Sequence, residues 1–327
     1  MKPLVSIIVP TFNNAGTIGL CLRSLQKLEY WHFEVNVVND GSTDGTLEVA
    51  RQSVAGDERF RFFSLDRQTG PGAARNVGML HARGAILAFI DGDISAPPDW
   101  LDRLLPPLLE GQADCSGGPD YVPHDGPLLS RCIGYSMDSI VCTGGLRLGR
   151  TRLVKYLPGT GNMAVWKDVL ERVGPFDEHF RDTGEDKELL YRVQCSGARI
   201  QYVHDAPVWH HRAPDFYTHA RKMFLYGVRR VDIWRRQQGT LELAHFVPAL
   251  LTLSMLLCIA LAGVWPLARN VCLLALAALL TESVAGAFTL RDARAFFVLP
   301  ATSAVIPLGY GCGILLRLLQ PLAGRRP

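Results

Sequence analysis

No Cys-x-x-Cys pair occurs among the eight cysteines of this 327-residue chain, and their spacing is uneven. That absence argues against a zinc site or a disulfide framework. Cys258, Cys272 and Cys312 lie in apolar C-terminal runs, so the cysteines read as reduced, small apolar residues of a cytosol-facing protein. Charge is scarce too: only 20% of residues are Asp, Glu, Lys or Arg, and the formal net charge is +3. So small an excess gives no reason to expect a nucleic-acid partner. The apolar stretch in the N-terminal "MKPLVSIIVPTFNN" is too short for a signal peptide, which predicts that the first domain stays where it is made. What the chain has in abundance is apolar residues, 48% of the total. Its mean hydropathy is positive, high for a wholly soluble protein, so part of the chain is expected to meet lipid.

From Leu4 to about Arg212 short apolar strands alternate with amphipathic helices. Leu4 to Val9, Val35 to Val38, Phe60 to Phe63 and Ile86 to Ile90 read as strands. Ile18, Leu22 and Leu25, then Leu47, Ala50 and Val54, then Ala73, Val77 and Leu80 mark an apolar face on each intervening helix. This order predicts an α/β fold, a mostly parallel sheet with flanking helices and right-handed crossovers. Ligands of such sheets bind beyond the carboxyl ends of the strands.

The next segment, 214–240, changes character. Phe216, Ala220, Met223, Phe224, Gly227, Val231 and Trp234 recur at helical spacing, while Arg221, Lys222, Arg229, Arg230, Arg235 and Arg236 take much of the remaining surface. The pattern predicts an amphipathic helix on an anionic membrane surface; a core helix with a solvated basic face is the alternative. Residues 241–327 then form a membrane region. No charge interrupts Phe246 to Ala268, only Glu282 interrupts Asn270 to Leu290, and a third apolar stretch from Ala295 to Leu316 contains Pro300 and Pro307. Two of these read as transmembrane helices and the third as either a span or a re-entrant segment. The basic residues before the first span place the globular domain on the cytoplasmic side of the inner membrane, although three full spans would put Arg325 and Arg326 outside. Glu282 is expected to make a structural contact between helices.

Several polar motifs fall at strand ends. In "FIDGDIS" a buried strand stops at Asp91 and Asp93, and two carboxylates on a glycine-containing turn suit a hard cation such as Mg²⁺ or Mn²⁺, which also takes phosphate oxygens. A simple Asp-Gly turn is the plainer reading. The strand ends "SIIVPTFNN" and "VVNDGSTDGT" offer Thr11 and Asp40, the latter able to accept from a nucleobase N–H, while Ser42 or Thr43 can cap the following helix. "GPGAARNVGM" sets Arg75 and Asn76 near a helix start, which favours phosphate. In "DTGEDKELLYRV" Glu185 and Asp186 open a helix; Thr183 with Asp186 has capping-box spacing, and a carboxylate there can equally serve as a general base.

Taken in order, "SIIVPTFNN", "VVNDGSTDGT", "GPGAARNVGM", "FIDGDIS", "GNMAVWKDVLERVGPFDE" and "GEDKELLYRV" resemble the family 2 inverting glycosyltransferases of the GT-A fold, over about the first two thirds of the chain. The resemblance implies a domain over 1–213 that takes a nucleotide-sugar donor, with a leaning toward UDP. It implies that Pro10, Thr11, Asn13, Asp40, Arg75 and Asp91 bind the nucleotide, and that Asp91 and Asp93 form the Asp-x-Asp of ribose and metal. Asp186 would be the base, with Glu185 beside it on the acceptor or the loop. His210 or His211 stands where many relatives carry a histidine that approaches metal or diphosphate; an exposed loop histidine is the alternative. Asn39 departs from an aspartate common in relatives, and the Q-x-x-R-W signature of processive synthases is absent, so single-sugar transfer to a saccharide or lipid-linked hydroxyl is expected. A polyprenyl-phosphate sugar synthase and a non-catalytic nucleotide-sugar-binding membrane component are the rivals. Acceptor-side loops are expected between Tyr121 and Tyr156.

Overall fold

A computed structural model describes residues 2–143, 158–211, 215–237 and 239–320. The chain folds as two compact units, one comprising Met1–Pro123 and Leu157–Arg212, the other His124–Tyr156 and Ala213–Pro327. The first unit is therefore discontinuous, and most of the stretch expected to form acceptor-side loops belongs to the second unit. Residues 144–156 of that stretch, with Arg325 and Arg326, lie outside the described residues.

In the first unit β1 (Val5–Thr11), α1 (Ile18–Gln26), β2 (Phe33–Asn39), α2 (Thr46–Ser53), β3 (Phe60–Ser64), α3 (Pro71–Leu80) and β4 (Ile86–Phe89) alternate as the apolar periodicity predicts. Beyond them come β5 (Ile94–Ser95), α4 (Trp100–Leu104), α5 (Pro106–Leu109), β6 (Cys115–Gly117) and β7 (Asp120–Tyr121). After α6 (Leu128–Asp138) and α7 (Ile140–Thr143), which belong to the second unit, the first resumes with β8 (Met163–Trp166), α8 (Lys167–Val173), α9 (Glu185–Cys195), β9 (Ile200–Tyr202) and β10 (Val208–His210). The main sheet has seven strands in the order β3-β2-β1-β4-β8-β6-β9. Strands β3, β2, β1 and β4 run parallel, and β8 lies antiparallel to both β4 and β6. Val5, Ile7 and Val9 of β1 join Val35, Val37, Ile86 and Ala88 in the core on one face; Ile8, Leu87 and Phe89 join Leu189 and Leu190 on the other. Strands buried on both faces explain the near-continuous apolar runs.

One helix face differs from the expectation. Leu80 is 80% exposed, whereas Ala73, Ala74, Arg75 and Gly78 of α3 are buried. A Cβ on Gly78 would lie 2.6 Å from Ile8 Cγ2, so α3 rests on the sheet through small residues, which a search for bulky apolar positions does not detect. The cap expectation around Ser42 and Thr43 also gives way. Ser42 Oγ and the Thr43 amide are taken by Asn13, and α2 starts after Gly45, with the Asp44 side chain accepting the Thr46 amide.

The second unit holds α10 (Phe216–Arg236), α11 (Leu243–Leu261), α12 (Pro266–Leu290) and α13 (Ala295–Leu319) together with α6 and α7. Three of these helices, α11, α12 and α13, are long and apolar enough to cross a membrane. Even the shortest, 19 residues, reaches about 29 Å at 1.5 Å per residue, close to the hydrocarbon thickness. The third stretch, read as a span or a re-entrant segment, is one continuous helix through Pro300 and Pro307. The Thr252 hydroxyl donates toward the Pro307 carbonyl at 3.2 Å and the Pro248 carbonyl at 2.8 Å, an arrangement that tolerates proline in apolar helices.

Helix α10 packs on α13 rather than standing alone. A Cβ on Gly309 would meet Met223 Cβ at 2.9 Å, and Gly227 and Gly313 face the partner backbone as tightly. Gly309 and Gly313 form the small-xxx-small spacing that lets helices approach. Arg317 bonds Asp232 at 2.6 Å, while Arg221, Lys222 and Arg236 remain exposed. Glu282 is buried toward α6, where burial and this carboxylate push the Tyr135 phenol up to about 12.

Candidate active site

Because β2 and β3 extend to one side of β1 while β4 lies on its other side, the sheet reverses order between β1 and β4. Loops diverge there and leave a crevice at the carboxyl ends. Thr11 ends β1, and Asp91 follows β4 by two residues. The Gly92 amide donates to the Pro10 carbonyl at 3.2 Å, holding the Asp91–Asp93 turn against the end of β1. Thr11 Oγ1 is buried and has no hydrogen-bond partner among the described residues, an orphan polar atom at the crevice. Asn13, exposed and with φ 49°, ties the β1 loop to that after β2.

Arg75 is the centre of the arrangement. Its side chain is 4% exposed, and its guanidinium bonds Asp91 Oδ1 and Glu185 Oε1, each at 2.7 Å. The strand end and the start of α9, 94 residues apart in sequence from Asp91 to Glu185, therefore meet on one fork. Burial pushes the Glu185 carboxyl up, with Arg75 opposing and Asp186 adding to the shift. Its second oxygen, Oε2, is buried without a partner among the described residues. Asp186 differs from its neighbour: its side chain is 23% exposed against 7% for Glu185. The helix N-cap is Gly184 at φ 98°, with no side-chain cap, so the Thr183–Asp186 capping box does not form.

Asp40 is buried and occupied. It accepts the Thr69 amide at 2.7 Å, the Thr69 hydroxyl at 2.8 Å and the Gly70 amide at 2.8 Å, so it shapes the loop into α3. Gly70 stands at φ 110°, and a Cβ there would reach Arg181 O at 2.6 Å, which fixes how closely this loop meets the one leading to α9.

The short sheet β5-β10-β7 carries the other half of the site. It sets His210 Nε2 2.9 Å from Asp93 Oδ2 and His210 Nδ1 3.3 Å from Asp120 Oδ2. His211 is engaged elsewhere: its amide donates to the Asp93 carbonyl at 2.8 Å and its ring meets Ser95 Oγ at 2.7 Å. His210 thus faces an Asp-x-Asp carboxylate. Among the described residues no group of three or more His, Cys, Asp or Glu is arranged to hold a metal. A carboxylate and an imidazole 2.9 Å apart nonetheless match the roughly 3 Å between neighbouring ligands of an octahedron with bonds of about 2.1 Å, and such ions draw their other ligands from phosphate and water. The residues present fit a divalent cation that the substrate helps to hold.

Two contributors escaped the sequence reading. Asp120 sits in a two-residue strand with no motif around it. Asn162, in "TGNMAVW", accepts from the Trp100 indole at 2.8 Å and donates to the carbonyls of Pro119 at 2.9 Å and Ala206 at 2.7 Å, pinning the entries to β7 and β10. A buried asparagine beside a glycine turn was the available signal. Its neighbour Gly161 leaves room for Asp91, whose Oδ2 a Cβ would approach at 3.3 Å.

Comparison with known proteins gives a consistent picture. Residues 6–170 match the family described as Glycosyl transferase family 2. The chain is 32% identical over 236 residues to glycosyltransferase AglE of Haloferax volcanii, covering 71% of this chain and 74% of that one. Other curated relatives are matched over less than two thirds of their own length. Among solved structures it is similar to the mannosyltransferase PcManGT of Pyrobaculum calidifontis in complex with GDP-Man and Mn²⁺, with TM-score 0.67, 18% identity and coverage of 98% of this chain and 88% of that one. It also resembles S. aureus TarS 1-349 in complex with UDP-GlcNAc, with TM-score 0.50, 21% identity and coverage of 71% and 67%.

Proposed function

Because the chain belongs to glycosyl transferase family 2 and has the GT-A fold, we propose that it moves one sugar from a nucleotide-sugar donor to a hydroxyl acceptor with inversion, while anchored in the inner membrane with its catalytic unit on the cytoplasmic side. The observation that carries this reading is the Arg75 fork, which joins an Asp-x-Asp carboxylate to the Glu-Asp pair at one strand-end crevice.

In this reading Asp186, the more exposed member of its pair, takes the proton from the acceptor hydroxyl. The acceptor oxygen forms the new bond to the anomeric carbon as the bond from that carbon to the diphosphate breaks. The bonding electron pair leaves on the nucleoside diphosphate, so a single displacement inverts the centre. Asp93 and His210, with Asp91 beside them, would hold Mg²⁺ or Mn²⁺, which when bound supplies positive charge at the leaving diphosphate. Thr11, whose hydroxyl has no partner among the described residues, and Asn13 line the nucleotide end, where Pro10 and Asp40 shape the loops. Arg75 holds Asp91 toward the donor. The exposed basic residues of α10 suit anionic lipid at the membrane surface.

UDP-sugars are the first donors to test, and GDP-sugars the rivals, since PcManGT is seen with GDP-Man and TarS with UDP-GlcNAc. The test is nucleotide release by the purified full chain across both donor sets, with a membrane lipid extract as the acceptor source. Release should require an acceptor. Asp186→Asn should lower it by about 10²–10⁴-fold with the fold intact. Full activity of folded Asp186→Asn, or transfer to lipid phosphate alone, would overturn the hydroxyl-acceptor assignment. Donor binding without turnover would overturn the enzymatic one.

A further inference from the structure

We infer that Asp120 is a positioning residue for His210: its carboxylate accepts the Nδ1–H and thereby turns the Nε2 lone pair toward Asp93. The inference rests on the proposed metal site at Asp93 and His210, and it concerns a residue to which no motif points.

The argument starts from proton counting. A neutral imidazole has one N–H and one lone pair. Here a carboxylate oxygen faces each ring nitrogen, at 2.9 Å on the Nε2 side and 3.3 Å on the Nδ1 side. An imidazole that ligates a cation through one nitrogen carries its proton on the other, so the two ring nitrogens take different partners. Asp93 belongs to the Asp-x-Asp turn, so the cation's place is on the Nε2 side. The Nδ1 side then keeps the proton and needs an acceptor, which Asp120 supplies. A histidine that ligates a metal through one nitrogen commonly donates its other N–H to a carboxylate, and this fixes both tautomer and ring orientation.

Backbone structure makes the assignment specific. In the parallel pairing of β10 with β7, Val208 lies opposite Asp120. His210 follows two residues later and so projects from the same face, within diagonal reach. The Val208 amide donates to the Pro119 carbonyl at 3.0 Å, and Asn162 holds that carbonyl as well as Ala206. Asp120 thus follows a carbonyl held by two hydrogen bonds, while the pairing of β10 with β5 sets His210 opposite Ile94, next to Asp93. The ladders fix the backbone of His210, and Asp120 fixes the ring.

The test measures Mn²⁺ binding to the full chain by electron paramagnetic resonance of the free ion, alongside thermal unfolding. Asp120→Ala should weaken Mn²⁺ by about 10–100-fold, and Asp120→Asn, which keeps an acceptor oxygen but not the charge, should weaken it less. Metal-free nucleotide binding should stay unchanged in both. If Asp120→Ala binds Mn²⁺ within about threefold of the parent while His210→Ala loses it, the inference is overturned and the metal site stands. If neither Asp93→Ala nor His210→Ala weakens Mn²⁺, the metal site itself is wrong and the inference goes with it. Should Asp120→Ala fail to fold, Asp120→Asn decides, and an unweakened Mn²⁺ affinity there counts against the inference.

Discussion

Arg75 is where stability and chemistry meet. A guanidinium with two carboxylates has offset its own desolvation only because both partners are present. Arg75→Met should therefore cost about 3–5 kcal/mol, since it leaves Glu185 buried and uncompensated; adding Glu185→Leu should return part of that loss. Urea unfolding of the single and double variants checks this, and equal instability in both would show that the stranded Glu185 carboxylate is not the source of the loss. Glu34 carries a pH signature of its own. Burial raises its carboxyl, but the Arg83 amide, Ser6 hydroxyl and Arg83 guanidinium together outweigh burial and hold it below the usual glutamate range. A depressed carboxyl contributes stability above its unfolded pKa and loses it as pH falls through the lower folded value. The parent should lose stability on acidification below the usual glutamate range more steeply than Glu34→Gln, as read from urea midpoints across pH.

Among the elements, close approach through small residues recurs, and it marks the limit of what patterning conveys. Gly78→Ala would drive a methyl group against Ile8 in the tightest part of the α3–sheet contact. A loss of about 1–3 kcal/mol is expected from such overpacking, measurable by the same unfolding assay; a neutral change would mean that α3 can shift. The parallel half of the fold was legible because β1 to β4 are predominantly apolar and the helices between them repeat at 3.6-residue spacing. Asp91, Asp93, Glu185 and Asp186 were legible as carboxylates at element ends. The strands β5, β7 and β10, two or three residues each, have no periodicity to read, so Asp120 was hidden, and a histidine near Asp93 was expected only from the family resemblance, as either His210 or His211. The Arg75 fork was hidden for another reason: no spacing rule reports that a strand-end turn and a distant helix start converge on one side chain.

The two units bear on how the protein can be handled. The α6 helix buries Cys132 against Ala295 and Leu299 of α13, and Ser136 bonds Thr302 and Ser303 there. A chain ending at Arg212 keeps α6 but loses those partners, so it should self-associate in size-exclusion chromatography even without its apolar helices. A monodisperse monomer would show that the α6 face uncovered by the loss of α13 does not drive association. The full chain should remain in the membrane pellet after alkaline carbonate washing, since α11, α12 and α13 are each long enough to span.

The reversed direction of β8 has a consequence for synthesis. Because that strand runs against β4, its leading turn at Gly161–Asn162, not its trailing end, arrives at the crevice. A ribosome has thus released every donor-side loop up to Asp93 long before the buttress that steadies them exists, and His210 emerges later still. Nucleotide protection of nascent chains against protease should accordingly switch on abruptly, after β10 clears the exit tunnel, rather than grow as each strand appears.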